Sequence, residues 1–306
     1  MSWKKVPQLA GYELLERLGA GARGTIHKAR DRQTKRVVAI KHLVRRSAED
    51  ERFIAQAENE LRVSQRVSHA SIRRCYGVVR DRSWLRTRQL FLLMEYVEGR
   101  TLDHWRFGSW GELLEVFVSL ARGLAAMHDA GYVHADIKPS NVLVVGGTRE
   151  VKIIDLGQSC PIGHRKDRVQ GTPDYMAPEQ VLREPLDERT DVFNLGATMY
   201  SLLTGRVFET SMPGTPATAG RIALQSGRGS RPPQEVNPDV PLALSRLVMA
   251  CCAAGRESRP RTMAQVVSRL DLLRGRDRRG RRRSARHDRE AGSRNHPWRG
   301  VAGASG

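Results

Sequence analysis

The sequence predicts an α+β chain in two unequal lobes, a small β-rich one followed by a larger, mainly helical one. Three observations predict it. Residues 12–94 set short β-branched and aromatic runs around a single amphipathic helical stretch. After Gly99 the apolar residues recur at helical spacing in four segments. From Arg274 onward the composition shifts to Arg, Gly and Ser with almost no core-forming residues.

In chain order, "YELLERLGAG" and "GTIHKARD" read as strands flanking a glycine-rich turn, and "RVVAIKHL" is a β-branched run that follows them. "DERFIAQAENELRVSQRVS" places Phe53, Ala57, Leu61, Ser64 and Val67 on one helical stripe, and "QLFLLMEYV" closes the small lobe as a strand. "LLEVFVSLARGLAAMHDAGY" is a long amphipathic helix for which Gly131 is a natural C-cap, and "DVFNLGATMYSLLTG" is another, ended by Gly205. "PLALSRLVMACCA" and "TMAQVVSRLDLL" supply two more helices. Residues 206–240, rich in Gly, Pro, Ser and Thr, read as a loop with one short helix.

The 306 residues, 40% hydrophobic and 28% charged, describe a globular chain with a real core. No positively charged start leads into an apolar stretch, so no signal peptide is expected, and no apolar run of about 20 residues predicts a membrane span. Cys75, Cys160, Cys251 and Cys252 lack metal-binding spacing and read as reduced, buried thiols, which makes the expected location cytoplasmic. Of the formal charge of +19, a large share falls in "RGRDRRGRRRSARHDREAGSRNHPWRG". Such a segment buries too little apolar area to offset its ordering entropy and reads as a solvated, disordered tail. Its expected contacts are weak and nonspecific, with nucleic acid or an anionic surface.

Chemistry-bearing residues gather at several places. The turn Leu18, Gly19, Ala20, Gly21, Ala22, Arg23, Gly24 has its glycines in the order G-x-G-x-x-G, followed by Ile26. Such a turn lies either at a helix N-terminus for a dinucleotide or between antiparallel strands over nucleotide phosphates. The β-branched "TIHKA" favours the strand–loop–strand form. Lys41 ends the strand "VVAIK", where a lone lysine ordinarily faces solvent. A phosphate-binding lysine there needs a carboxylate partner, and Glu60, near the inward stripe of the following helix, suits better than Glu58 on the far side. "YVHADIKPSNVLV" brings Asp136, Lys138 and Asn141 within six positions, and Asp155 follows the apolar strand "VKII".

"GAGARG" with Ile26, "VAIK", "HADIKPSN", "DLG" and "APE", in this order and spacing, resemble the protein kinase family of the bacterial and eukaryotic serine/threonine type. The resemblance spans residues 12–273, with an arm at 1–11, a small lobe at 12–94, a hinge at 95–99, a helical lobe at 100–273 and the tail at 274–306. It implies an ATP- and Mg²⁺-dependent enzyme that phosphorylates Ser/Thr hydroxyls of protein substrates. Asp136 would orient the hydroxyl and take its proton, Lys138 would balance charge on the γ-phosphoryl, and Asn141 with Asp155 would hold magnesium. Lys41, held by Glu60, would reach the phosphates. Val38, Ala39 and Leu143 would pack on the adenine, Met94 would be the gatekeeper, and Glu95 and Val97 would offer backbone groups. Glu179 would pair with Arg259, and Asp191 would accept backbone hydrogen bonds from the catalytic loop.

Two departures stand out. The arginine that usually precedes the catalytic aspartate is Ala135, and Leu156 replaces the phenylalanine of "DFG". The arginine commonly pairs with a phosphorylated activation-loop residue. Between Asp155 and Glu179 the only hydroxyls are Ser159, Thr172 and Tyr175, and residues 158–171 contain Ser159 alone. Both losses predict activation without loop phosphorylation, with Arg165, Lys166 and Arg168 forming a solvated basic loop or meeting a carboxylate. A catalytically silent binding module and a small-molecule phosphotransferase remain as alternatives. Intact Lys41, Asp136, Asn141 and Asp155 oppose the first, and the glycine loop and "APE" oppose the second.

Overall fold

The computed structural model describes residues 9–20, 24–83, 86–146, 150–209 and 229–275. The glycine-loop residues Gly21, Ala22 and Arg23, the arm at 1–8 and the basic segment from 276 onward lie outside the described residues.

Strands β1 (Tyr12–Ala20), β2 (Gly24–Asp31), β3 (Val37–Val44), β4 (Cys75–Ser83) and β5 (Arg86–Glu95) form one antiparallel sheet in the order β1-β2-β3-β5-β4. The period-2 alternation of β3 divides its side chains between two faces. Val38 and Ile40 pack with Leu9, Ala29 and Phe91 on the outer face. Ala39 and Leu43 pack with Ile54, Ala57, Leu92 and Met94, against helix α1 (Glu51–Arg66). Val38 is therefore corrected as an adenine-packing residue, because it points away from the face that carries Ala39.

Helix α1 buries Ile54, Ala57, Glu60, Val63 and Ser64. Phe53 and Leu61 are only partly buried, so the inward stripe is rotated from the expected one. Glu60, expected near the inward stripe, is buried at the centre of the observed one, where it is ion-paired. Strand β4 has no counterpart in the sequence reading. It is an edge strand with Tyr76 and Val79 exposed and a charged second half, which blurs its alternation.

The larger lobe begins with β6 (Gly99–Thr101) and helix α2 (Trp110–Asp129), whose N-cap Ser109 accepts a bond from the Glu112 amide. Strands β7 (Tyr132–Val133), β8 (Val142–Val145), β9 (Val151–Ile153) and β10 (Cys160–Pro161) follow, with β6-β8-β9 as one small sheet and β7 paired to β10. Helices α3 (Pro178–Val181), α4 (Glu188–Thr204), α5 (Pro233–Val236), α6 (Leu242–Cys251) and α7 (residues 263–275) complete the fold. Gly131 and Gly205 adopt φ of +82° and +68°, as the helix ends they follow require. Helix α4 is buried nearly all round and forms the centre of this lobe, against α2 and α6. All four cysteines are buried and unpaired. Burial pushes the thiols of Cys75 and Cys251 up to about 12 and that of Cys160 up to about 11. Among the described residues no helix is long and apolar enough to cross a membrane.

Candidate active site

The site is built where β3 and α1 face the loops of the larger lobe. Gly19 and Ala20 pair with Ile26 and Thr25 across the first hairpin, and Leu18 is exposed beside them. A Cβ at Gly24 would lie 2.6 Å from the carbonyl oxygen of His42, so the close pairing of β2 with β3 itself demands glycine there. Ile26 pairs with Lys41 and packs on the face that carries Ala39.

Lys41 Nζ donates to Glu60 Oε2 at 2.9 Å and to Asp155 Oδ1 at 3.1 Å. Burial works against the Lys41 ammonium, but the two carboxylates outweigh it and hold its pKa above the ordinary lysine value. The Lys41 charge in turn holds the Asp155 carboxyl below the usual range. Glu58 pairs with Arg80 near the surface, as its helical phase predicts.

Asp155 has a left-handed backbone, φ +61° and ψ +59°, a conformation that asparagine and aspartate tolerate best. Directly after it, Asn59 of α1 donates Nδ2 to the carbonyls of Gly157 and Ser159 at 3.3 and 2.8 Å. Asn59 was not legible in advance, because its partners lie about a hundred residues away.

In the catalytic-loop stretch, Asp136 is 7% exposed. Its Oδ1 accepts from Thr172 Oγ1 at 3.0 Å, while Asn141 Nδ2 reaches its Oδ2 at 3.1 Å and its carbonyl at 2.8 Å. Lys138 Nζ donates to Thr172 Oγ1 at 2.6 Å and lies 3.3 Å from Asp136 Oδ2. The Asp136 amide donates to His134 Nδ1, which leaves Nε2 of that ring to donate to the Ile154 carbonyl.

This loop hangs from the centre of the larger lobe. The fully buried Asp191 accepts from the amides of His134 and Ala135, both at 2.8 Å, and pairs with His128 Nε2 at 2.9 Å. Burial would raise its pKa, yet these partners, His128 foremost, hold the carboxyl below the usual range. Ala135 has φ +60°, and Gln180 Nε2 donates to its carbonyl at 2.8 Å. Gln180, like Asn59, was missed. Arg259 binds Glu179 through both guanidinium ends at 2.8 and 3.0 Å, joined by Thr190 Oγ1.

Around the adenine-side residues, Met94 is buried and pairs with Ala39, and Leu143 lies on β8. Glu95 turns its side chain to Lys152 at 2.8 Å, and its amide donates to the Arg74 carbonyl at 2.9 Å. In the segment after Asp155, Ser159 is 4% exposed, and Lys166 Nζ donates to the Gln158 carbonyl at 2.6 Å. Burial lowers the Lys166 pKa.

A family model described as protein kinase domain matches residues 12–269. The chain belongs to the protein kinase domain family. It is 29% identical over 269 residues to a probable serine/threonine-protein kinase of Clostridium acetobutylicum, covering 85% of this chain and 39% of that protein. It is 28% identical to serine/threonine-protein kinase pkn3 of Myxococcus xanthus, covering 86% and 50%, and 30% identical to serine/threonine-protein kinase PknB of Mycobacterium tuberculosis, covering 86% and 42%. The chain thus spans half or less of the length of these kinase relatives. Its kinase-domain architecture agrees with the five-stranded sheet over a helical lobe.

Proposed function

We propose that the chain is an ATP- and magnesium-dependent protein kinase that transfers the γ-phosphoryl group to Ser/Thr hydroxyls of protein substrates. The observation that carries this reading is Lys41 bound at once to Glu60 and Asp155, in one cleft with the Asp136–Thr172–Lys138 network. In-line phosphoryl transfer asks a protein chiefly for positioning and charge stabilisation. Lys41 would bind the phosphates, Asp136 would orient the acceptor hydroxyl and take its proton, and Lys138 would balance charge on the transferred group. Residues 12–273 are assigned as the kinase domain.

The donor set suits magnesium. Asn141 commits Nδ2 to Asp136, so its amide oxygen could serve as a metal ligand together with the carboxylate of Asp155. One carboxylate and one amide oxygen match a hard cation that keeps most of its ligands from phosphate and water. When bound, such an ion neutralises phosphate charge.

The activation segment is read as ordered without phosphate. The hydroxyl of Ser159 is buried, and the segment is tied down by Lys166 to Gln158, Arg165 Nε to the Arg183 carbonyl, and the Gly163 amide to the Leu186 carbonyl. Lys166 is thus assigned a partly buried tether rather than a solvated cation. The four free, buried thiols support a cytoplasmic location. The basic residues past 275 are assigned weak, salt-sensitive contact with nucleic acid or anionic surfaces.

The test is transfer of label from γ-labelled ATP to a degenerate Ser/Thr peptide pool, followed by phosphoamino-acid analysis. Label on Ser or Thr, lost on chelation and restored by Mg²⁺, is expected. Nucleotide binding without transfer favours the binding-module reading and contradicts this one.

A further inference from the structure

The second oxygen of Glu60 leads to a residue that no kinase motif in this chain includes. Glu60 is 1% exposed, and its Oε1 accepts from Arg73 Nη2 at 2.9 Å while Oε2 accepts from Lys41 at 2.9 Å. The Arg73 side chain is 7% exposed. We propose that Arg73 is a second positioning residue for the reaction: it holds Glu60, and through it helix α1, in the inward position independently of Lys41. The inference rests on the phosphotransfer reading above.

Three observations support a positioning role. First, the Arg73 backbone is pinned. Its amide donates to the Ile153 carbonyl at 3.1 Å, and its carbonyl accepts from Ser64 Oγ at 3.1 Å. The guanidinium therefore springs from a point fixed to β9 of the larger lobe and to α1 itself. Lys41 ties Glu60 to the sheet across the cleft, and Arg73 ties it to the other lobe from behind.

Second, the charges balance. Lys41 and Arg73 offset Glu60 and Asp155. Without Arg73, one ammonium would serve two carboxylates, and a buried oxygen of Glu60 would lose its donor. When Lys41 turns to a nucleotide phosphate, Arg73 leaves Glu60 held.

Third, Arg73 Nε is buried with no hydrogen-bond partner among the described residues. Removing one partner of a buried ion pair ordinarily destabilises, but Glu60 keeps Lys41 when Arg73 is lost, so the cost falls below that of a fully unpaired carboxylate. With one arm of its fork unused, what Arg73 fixes is the position of Glu60 Oε1.

The test compares the full chain as wild type, Arg73→Met and Arg73→Lys, by steady-state transfer, thermal midpoint and hydrogen exchange of the α1 amides. Arg73→Met is expected to lower kcat tenfold or more, equal to about 1.4 kcal/mol, with a smaller change in KM for ATP. Its thermal midpoint is expected to fall modestly, less than that of Arg259→Met, while residues 51–66 exchange faster. Arg73→Lys keeps the charge but loses the planar fork, and should recover most of kcat and of the protection. Wild-type kcat and exchange in Arg73→Met would overturn the inference. So would a kcat loss no larger than the fraction of protein unfolded at the assay temperature and left unrelieved by Arg73→Lys. If the wild type transfers no phosphate, the phosphotransfer reading falls, and α1 exchange in Arg73→Met still decides whether the second clamp exists.

Discussion

The two halves of the cleft are held together in different ways. In the larger lobe the loop at 134–141 is fixed through its backbone: Asp191 binds two successive amides, Gln180 binds the Ala135 carbonyl, and Glu179–Arg259 anchors the segment that follows. In the smaller lobe the corresponding groups are fixed through side-chain charge, with Glu60 between Lys41 and Arg73 and a single strand of the sheet behind them. Backbone anchoring in a thick core gives a loop that cannot adjust without local unfolding. Charge anchoring on one helix gives a clamp that can open while the lobe stays folded. The difference predicts that substitutions above the cleft change rate and leave the fold, and that substitutions below it, the reacting aspartate apart, cost stability first.

The largest expected effect is on the reacting groups. Asp136→Asn should lose on the order of 10²–10⁴ in kcat, the usual worth of a positioned general base, with little change in nucleotide affinity. Lys41→Met should lose on the order of 10²–10³, as removal of one electrostatic stabiliser does, and keep a near wild-type thermal midpoint. Rates within threefold of wild type in either variant, at saturating ATP and Mg²⁺, would contradict the assigned roles. Arg259→Met should instead act on the fold, destabilising it by about 3–5 kcal/mol because Glu179 is left buried and unpaired. A denaturant titration checks this, and an unchanged midpoint would erase the contrast between the halves.

Acid should discriminate the halves more gently. Asp191 and Glu179 both have pKa values held below the unfolded range, so each adds stability that is present above the unfolded carboxylate pKa of roughly 4. That stability is lost as pH falls through the folded values. Urea midpoints between pH 7 and 3 should therefore drop for the wild type, and Asp191→Asn should start lower and show a shallower drop. The smallest effect is expected for Ser159→Ala, whose hydroxyl is buried and, among the described residues, reaches only the His134 carbonyl at 3.5 Å. It should retain most activity.

Much of this contrast could be read from the chain. Asp136, Lys138, Asn141 and Asp155 come from short motifs in tight loops, Lys41 from a β-branched strand, and Glu60 from its phase on α1, and the structure brings Lys41, Glu60 and Asp155 into contact. Helix ends at Gly131 and Gly205 were equally legible, since left-handed backbone has a residue signature. What escaped the sequence is long-range pairing. Arg73, Asn59 and Gln180 are ordinary polar residues until folding sets them against Glu60, the 157 and 159 carbonyls, and Ala135. The stripe of α1 was displaced because the partly buried Phe53 and Leu61 were counted in it and the buried Ile54 and Val63 were not, although Glu60 was placed on its inward side. Val38 was misplaced because strand alternation was not applied to it.

The central claim is that this cleft is assembled for phosphoryl transfer without a phosphate on its activation segment. The most direct measurement is the initial rate of label transfer from ATP by full-length protein after complete dephosphorylation verified by mass spectrometry, with Asp136→Asn in parallel. The account predicts that the dephosphorylated wild type keeps most of its rate and exceeds Asp136→Asn by at least about 10². A loss of tenfold or more, about 1.4 kcal/mol in barrier, restored only by phosphate within residues 158–171, would contradict it.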